Sequence, residues 1–214
     1  MNFEQVIKGL NIKPSKGAFG YASVTFIKDE NENILFDTGS FGVRKVIYEF
    51  LQKEKIDKVF ISHLHFDHCS NLDLFKDTKI YINSREIENL YNNNEDYDLY
   101  KPLLKILDKY NIIKFDKPMN ITENVRIVLT YGHTIGHSSL EFVKNNKNIL
   151  IAGDSIKSLN DYLNNKEFGN AQQLVQYIET KKMIKNKYDI IIPGHSDIIY
   201  KDNLKNTEIK LKIF

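Results

Sequence analysis

Cysteine is nearly absent: Cys69 is the only one among 214 residues. An internal disulfide framework is therefore excluded, and the chain suits a reducing compartment. A dominant charge is missing too, because 30 basic against 28 acidic residues leave a net +2. That balance gives no argument for nucleic acid or an anionic membrane as a partner. No apolar run approaches transmembrane length. The opening Met1-Asn2-Phe3-Glu4-Gln5 has no basic segment followed by an apolar one, so no signal peptide is expected. Together these absences predict a cytoplasmic protein without membrane contact. Fixed-length repeats, low-complexity linkers and composition breaks are also lacking. With 42% hydrophobic and 27% charged residues, residues 1–214 are expected to form one domain.

What is present is a concentration of metal-ligand residues. Ser62-His63-Leu64-His65-Phe66-Asp67-His68 follows the apolar stretch Val59-Phe60-Ile61. Alternate residues of an extended chain point the same way, so His63 and His65 can reach one cation. The tightening turn then aims Asp67 and His68 at a point beside it. Three imidazoles with a carboxylate suit zinc or a similar transition metal better than calcium or magnesium.

The surrounding pattern alternates strands and helices. Tyr21 to Ile27 and Ile34 to Phe36 read as strands around the polar turn Lys28-Asp29-Glu30-Asn31. Asp37-Thr38-Gly39 ends the second of them. Val43, Val46, Ile47, Phe50 and Leu51 follow the spacing of one buried helical stripe. The result is a β-α-β unit with the histidine run on its C-terminal edge, where open α/β sheets commonly place their sites. Lys79 to Ile82 reads as a strand, followed by a short helix capped by Ser84, the polar loop Asn92 to Asp96, and a helix started by Pro102. Leu103, Ile106, Leu107 and Tyr110 share a face of that helix. Further strands are expected at Ile112 to Phe115, Val125 to Thr130, Ser139 to Val143, Ile149 to Ala152 and Ile190 to Ile192, with a helix from about Ala171 to Lys185. Ile209, Leu211 and Ile213 alternate with lysines, as in a terminal edge strand. Two blocks of strands, each followed by helices, argue for two sheets packed face to face with helices outside.

All six histidines fall in three motifs. Beyond the first run, His133 and His137 lie in Tyr131-Gly132-His133-Thr134-Ile135-Gly136-His137, and His195 lies in Pro193-Gly194-His195. Asp154, in Gly153-Asp154-Ser155, also follows a strand. Glycines beside these residues allow sharp turns and close approach to a metal.

The series H-x-H-x-D-H, G-H-T-x-G-H, G-D-S and P-G-H, preceded by D-T-G, resembles the metallo-β-lactamase fold superfamily. Its nearest likeness is to the hydrolase branch that includes glyoxalase II and N-acyl homoserine lactonases. The resemblance spans Asp37 to His195 and implies an α/β (α+β) protein, a four-layer αβ/βα sandwich of two mixed sheets flanked by helices. It implies two divalent metal ions, zinc first, with iron or manganese as alternatives. His63, His65 and His133 would form site one and Asp67, His68 and His195 site two, with Asp154 and a hydroxide bridging them. Asp37 would support the histidine loop from behind, and His137 would be hydrogen-bonded near the site without ligating. Asp67 would also move a proton during the reaction.

Several positions depart from the family pattern. Lys157 stands where homoserine lactonases carry a tyrosine. It could polarise an oxyanion or hold a substrate carboxylate, or it could be a solvated loop charge. Tyr131 replaces the usual proline before Gly-His and is expected to pack beside the site. Cys69 is expected at the start of the helix after the ligand run, where a metal-adjacent thiol could be oxidation-sensitive. Tyr91 to Tyr110 could overhang the groove as a lid or merely cover the sandwich edge.

The function expected is hydrolysis of a small ester, lactone or thioester at a binuclear centre. Two alternatives are a mononuclear iron persulfide dioxygenase and a phosphodiesterase or nuclease acting on nucleotides or RNA. A small-molecule substrate is the expected partner, with no nucleic acid; the oligomeric state stays open.

Overall fold

Residues that alternate in side-chain direction build two sheets, each buried on both faces. The computed structural model describes residues 1–12, 19–92, 103, 105–164 and 172–204. The first sheet runs in the order β1 (Asn2–Ile7), β4 (Val24–Asp29), β5 (Glu32–Phe36), β6 (Lys58–Phe60), β7 (Lys79–Asn83) and β8 (Ile112–Phe115). Its first three strands are antiparallel, and β5 to β8 are parallel. The second sheet runs β14 (Ile199–Tyr200), β13 (Ile190–Pro193), β12 (Lys147–Gly153), β11 (Ser138–Lys144), β10 (Arg126–Leu129) and β9 (Met119–Asn120). Only its β12–β13 pair is parallel. A separate short pair joins β2 (Leu10–Ile12) to β3 (Phe19–Tyr21).

Side-chain alternation assigns each residue to a layer. On β5, Ile34 and Phe36 face the second sheet while Leu35 faces outward. Phe36, Phe60 and Phe115 pack in series, with centroids 5.3 and 5.9 Å apart, and meet Ile127, Leu140, Phe142 and Ile151 from the opposite sheet. Each fully buried side chain of this kind contributes about 1.5–3 kcal/mol. The outward face of the first sheet is covered by α1 (Arg44–Leu51), α2 (Phe66–Cys69), α3 (Ser84–Asn92) and α4 (residues 105–109). On the second sheet, Tyr162 of α5 (Leu159–Asn164) and Ile184 of α6 (Leu174–Lys187) cover Val128, Leu150, Ala152 and Ile191. This is the expected αβ/βα sandwich. No described helix is long and apolar enough to cross a membrane.

Several sequence expectations need correction. Tyr21 to Ile27 is not one strand, because the chain breaks at Ala22 and Ser23. Their N–H groups donate to Asp67 O at 3.3 Å, in α2, and to Gly194 O at 2.6 Å, in the loop before His195. An N-terminal strand, β1, stands where none was expected. Val46 is 47% exposed, so it lies off the buried stripe that Val43 and Ile47 define. Helix α3 is capped by Asn83, whose Oδ1 accepts from Arg85 N at 3.0 Å, whereas Ser84 Oγ donates to Phe115 O. Asn92, expected in a loop, ends that helix. The expected tail strand at Ile209 to Ile213, Pro102, Ala171 and residues 93–102 of the expected lid lie outside the described residues.

Asp29 links the sheets at the edge away from the histidines. Its buried carboxylate accepts from Thr122 Oγ1 at 2.6 Å, Asn124 Nδ2 at 3.0 Å and Asn124 N at 3.3 Å. Burial opposes ionisation here, but these hydrogen bonds outweigh it and hold the group below the ordinary carboxyl value of 3.8. Asp29→Ala is therefore expected to cost about 2 kcal/mol in urea unfolding at neutral pH. The wild-type advantage should be complete above 3.8 and should vanish as pH falls through the lowered folded value. An advantage that does not change with pH would exclude this role.

Candidate metal centre

Five strand ends converge on one side of the sandwich. Asp37 leaves β5, the Ser62–His68 run leaves β6, the Thr130–His137 loop leaves β10, Asp154 leaves β12 and His195 leaves β13. Three donor groups result: His63, His65 and His133; His63, His68 and Asp154; and Asp67, His68 and His195. The ligand atoms within each group lie within 4.8 Å of one another. All seven expected ligands are thus brought together.

Acceptors behind the rings decide which imidazole nitrogens face inward. Ser62 Oγ donates to Asp37 Oδ2 at 2.8 Å, so its lone pair accepts from His63 Nδ1 at 3.0 Å and Nε2 of His63 is left unprotonated. Asp37 also accepts from Ser62 N, and His68 Nδ1 donates to Asp37 Oδ2 at 2.7 Å. His195 Nδ1 donates to Tyr21 O at 3.2 Å. With their outer nitrogens engaged, His63, His68 and His195 each turn the other nitrogen inward, where it can meet a proton or a metal cation. His65 Nδ1 lies 2.8 Å from His63 Nε2 and 3.0 Å from His133 Nε2. Burial holds His63 and His133 well below their ordinary imidazole value, which favours neutral rings with lone pairs available.

Asp154 stands between the two sets. Its Oδ2 is 3.3 Å from His133 Nε2, while its Oδ1 is 3.2 Å from His195 Nε2 and 3.3 Å from His68 Nε2. Burial would raise this carboxyl, yet the neighbouring His195, His68 and His133 hold it well below the usual range. Burial alone would lower His68, but the Asp154, Asp37 and Asp67 carboxylates together push it well up. Asp67 Oδ2 lies 3.4 Å from His195 Nε2. His68 Nε2 and Asp154 Oδ1 are sealed from solvent without a hydrogen bond. Ring nitrogens and carboxylate oxygens crowded in this way are costly unless cations join them, so the donor set fits divalent metal ions.

The flanking residues hold this geometry. Asp37 has the left-handed φ of 59°, which an aspartate tolerates, and presents both oxygens to the histidine loop. His137 is buried and does not join any donor group. Its Nε2 accepts from Asp154 N at 3.1 Å and its Nδ1 meets Thr130 Oγ1 at 2.9 Å. Burial lowers it to about 3, so it stays neutral and positions the aspartate. Gly194 has no room for a side chain, because a Cβ there would lie 2.1 Å from Asp154 Oδ1.

Three supports were not foreseen from sequence. Ser62 orients His63. Glu86, buried on α3, accepts from Leu64 N at 3.0 Å and Gly136 N at 2.7 Å, tying the two histidine loops together. Asn71 Nδ2 donates to Thr38 O at 2.7 Å and Ser40 O at 2.9 Å. The signal for Glu86 was available, since it shares a helical face with Ile87 and Leu90.

Of the alternatives open for Lys157, the solvated loop charge is ruled out: it is 7% exposed, and its Nζ lies 3.7 Å from Asp154 Oδ2. Cys69 needs correction, because it ends α2 instead of starting a later helix. Its Sγ donates to His65 O at 3.2 Å, and burial pushes the thiol well up, away from the reactive thiolate. Tyr131 packs as expected, with the Arg85 guanidinium 4.9 Å from its ring centroid.

Residues 17–195 match the sequence profile of the Metallo-beta-lactamase superfamily. The chain belongs to that superfamily, and its class is that of a metal-binding hydrolase. A "probable metallo-hydrolase" of Methanocaldococcus jannaschii is 28% identical over 193 residues, 84% of this chain and 90% of that protein. A ribonuclease Z of Methanococcus aeolicus is 31% identical over 121 residues, 52% of this chain and 37% of the ribonuclease. A quorum-quenching N-acyl homoserine lactone lactonase superposes with a TM-score of 0.70 at 20% identity, covering 91% of this chain and 90% of the lactonase. That last likeness is one of fold.

Asp37→Asn replaces the acceptor behind His68 with an amide. Metal affinity should fall about 10- to 100-fold, measured by competition with a chromogenic chelator, while the circular dichroism spectrum is retained. Equal affinity in the variant would show that Asp37 does not orient the ring.

Proposed function

We propose that His63, His65 and His133 hold one divalent cation, that Asp67, His68 and His195 hold a second, and that Asp154 bridges the two. The protein then hydrolyses small esters, lactones or thioesters in the cytoplasm. The observation that carries this reading is the Asp154 carboxylate, which turns one oxygen to His133 and the other to His68 and His195. Zinc is the proposed metal because the donors are imidazoles with few carboxylates. Bound there, the cations would supply a water acidified from 15.7 towards about 7 and a Lewis acid for the acyl oxygen.

The chain's own groups do the rest. Asp67 is the accessible carboxylate of the set, with 32% of its side chain exposed, and is placed to move a proton to the departing group. In the overall reaction the water oxygen adds to the acyl carbon and the C–O or C–S bond breaks. The leaving oxygen or sulfur takes one proton of the water and the other is released to solvent, giving a carboxylate and an alcohol or thiol.

The clustering of Asp67, His68 and His195 supports two metals over a single iron, as a persulfide dioxygenase would need. The likeness to ribonuclease Z supports a phosphodiesterase reading, but it spans little of that enzyme, and a net charge of +2 offers little overall attraction for a polyanion.

Inductively coupled plasma mass spectrometry should find about two metal equivalents per chain. His133→Ala and Asp154→Ala should each lose metal, and turnover on a panel of lactones and thioesters should fall on the order of 10³-fold. Full stoichiometry with full activity in either variant would refute the assignment. Oxygen consumption with a persulfide, or cleavage of phosphodiesters alone, would favour the other readings.

A further inference from the structure

The two donor sets on either side of Asp154 differ in charge and in what stands behind their ligands. Asp67, His68 and His195 include a carboxylate, and a second carboxylate, Asp37, accepts from His68 Nδ1 at 2.7 Å. His195 Nδ1 donates to Tyr21 O at 3.2 Å. Both imidazoles of this set are therefore oriented from behind. His63, His65 and His133 are three imidazoles with no carboxylate of their own. A hydroxyl, Ser62 Oγ, stands behind His63 at 3.0 Å. Among the described residues nothing stands behind His133, whose Nδ1 is sealed from solvent and makes no hydrogen bond. An acceptor on the outer nitrogen fixes the direction of a ligating ring and raises its basicity. Its loss typically costs about 10- to 100-fold in metal affinity.

The shared carboxylate is uneven in the same sense. Its Oδ1 faces His195 Nε2 at 3.2 Å and His68 Nε2 at 3.3 Å. Among the described residues, both Oδ1 and His68 Nε2 are buried without a hydrogen bond, and a cation between them would satisfy both. Its Oδ2 faces His133 Nε2 at 3.3 Å, but Lys157 Nζ already lies 3.7 Å from that same oxygen. Lys157 is buried, so its charge is weakly screened and opposes a cation arriving at Oδ2.

We propose that the two sites load in order: the cation held by Asp67, His68 and His195 binds first and more tightly, and the one held by His63, His65 and His133 binds second, with His133 as the weak ligand. This rests on the two-cation reading above and adds regulation to it. The chain passes through a one-metal form as metal supply falls, and hydrolysis that needs both cations follows occupancy of the His133 site.

The test titrates the metal-free full chain with cobalt(II) against a chromogenic chelator, following the visible absorption of the bound ion. Two steps should appear, separated by at least about tenfold in dissociation constant. His133→Ala should delete the weaker step and keep the tighter one, whereas His195→Ala should delete the tighter one. Lys157→Met should strengthen the weaker step more than the tighter one. Anomalous scattering from crystals loaded with one equivalent needs no variant, and its peak should lie between Asp67, His68 and His195. A peak among His63, His65 and His133, or two equal steps, would overturn the order. Binding of a single equivalent at saturation would reject the two-cation reading and the order with it. Two ordered steps without cleavage of any lactone or thioester would keep the order and reject the hydrolase reading.

Discussion

An imidazole can present a lone pair in a fixed direction only when its other nitrogen is occupied, and the centre depends on that constraint. Three acceptors of different kinds meet it here: a serine hydroxyl behind His63, a carboxylate behind His68 and a backbone carbonyl behind His195. They are coupled, because Ser62 can accept from His63 only while its own proton is committed to Asp37. A single buried carboxylate therefore sets two rings from different parts of the loop. Its left-handed backbone is a local strain of about 1–2 kcal/mol, and it stands where the side chain gives its two oxygens to Ser62 and His68.

The same loops join the two sheets. Ser23 N reaches Gly194 O, and Ser138 N reaches Ser62 O. Glu86 adds two more bonds between the first histidine loop and the second. Charged and lone-pair groups crowd at this junction, so without cations it is a source of repulsion at the seam of the sandwich. Cation binding there would act on the fold as well as on chemistry, because a ligand that binds the native state alone stabilises it in proportion to RT ln(1 + [L]/Kd).

Much of this was legible in the sequence, for identifiable reasons. Ligand spacing in the first run is a local property, so His63, His65, Asp67 and His68 could be read from strand geometry alone. The order of the later motifs carried His133, Asp154 and His195 through a family resemblance, since nothing local says that they meet. Strand patterning succeeded where both faces are buried, as at Ile149 to Ala152. It failed at Ala22 and Ser23, where long-range hydrogen bonds to the carbonyls of Asp67 and Gly194 override local propensity. The helical stripe misplaced Val46 because the preceding turn is a tighter 3₁₀ helix, Phe41–Val43, which shifts the phase. Glu86 shares a helical face with Ile87 and Leu90, but its chemistry outweighed that signal, since an acidic residue on a helix is ordinarily a solvated one.

Helix α6 shows how far the support of the centre extends beyond the motifs. At its start, Gln172 N and Gln173 N donate to His133 O and Gly132 O, and Thr180 Oγ1 donates to Tyr131 O. Gly132, at φ 127°, lies so close to the helix that a Cβ would stand 2.3 Å from the Tyr177 backbone. Further along, Tyr177 OH reaches Asp154 O and Asp161 Oδ2, while Lys181 pairs with Asp161. Asp161 in turn holds the backbone of Lys157. One helix thus fixes the loop of His133 and the loop of Asp154 against each other. A buried ion pair is rarely a gain in stability when compared with packed apolar residues. Its value here is positional, because Asp161 accepts from Lys157 N and Tyr177 OH through one oxygen while Lys181 holds the other.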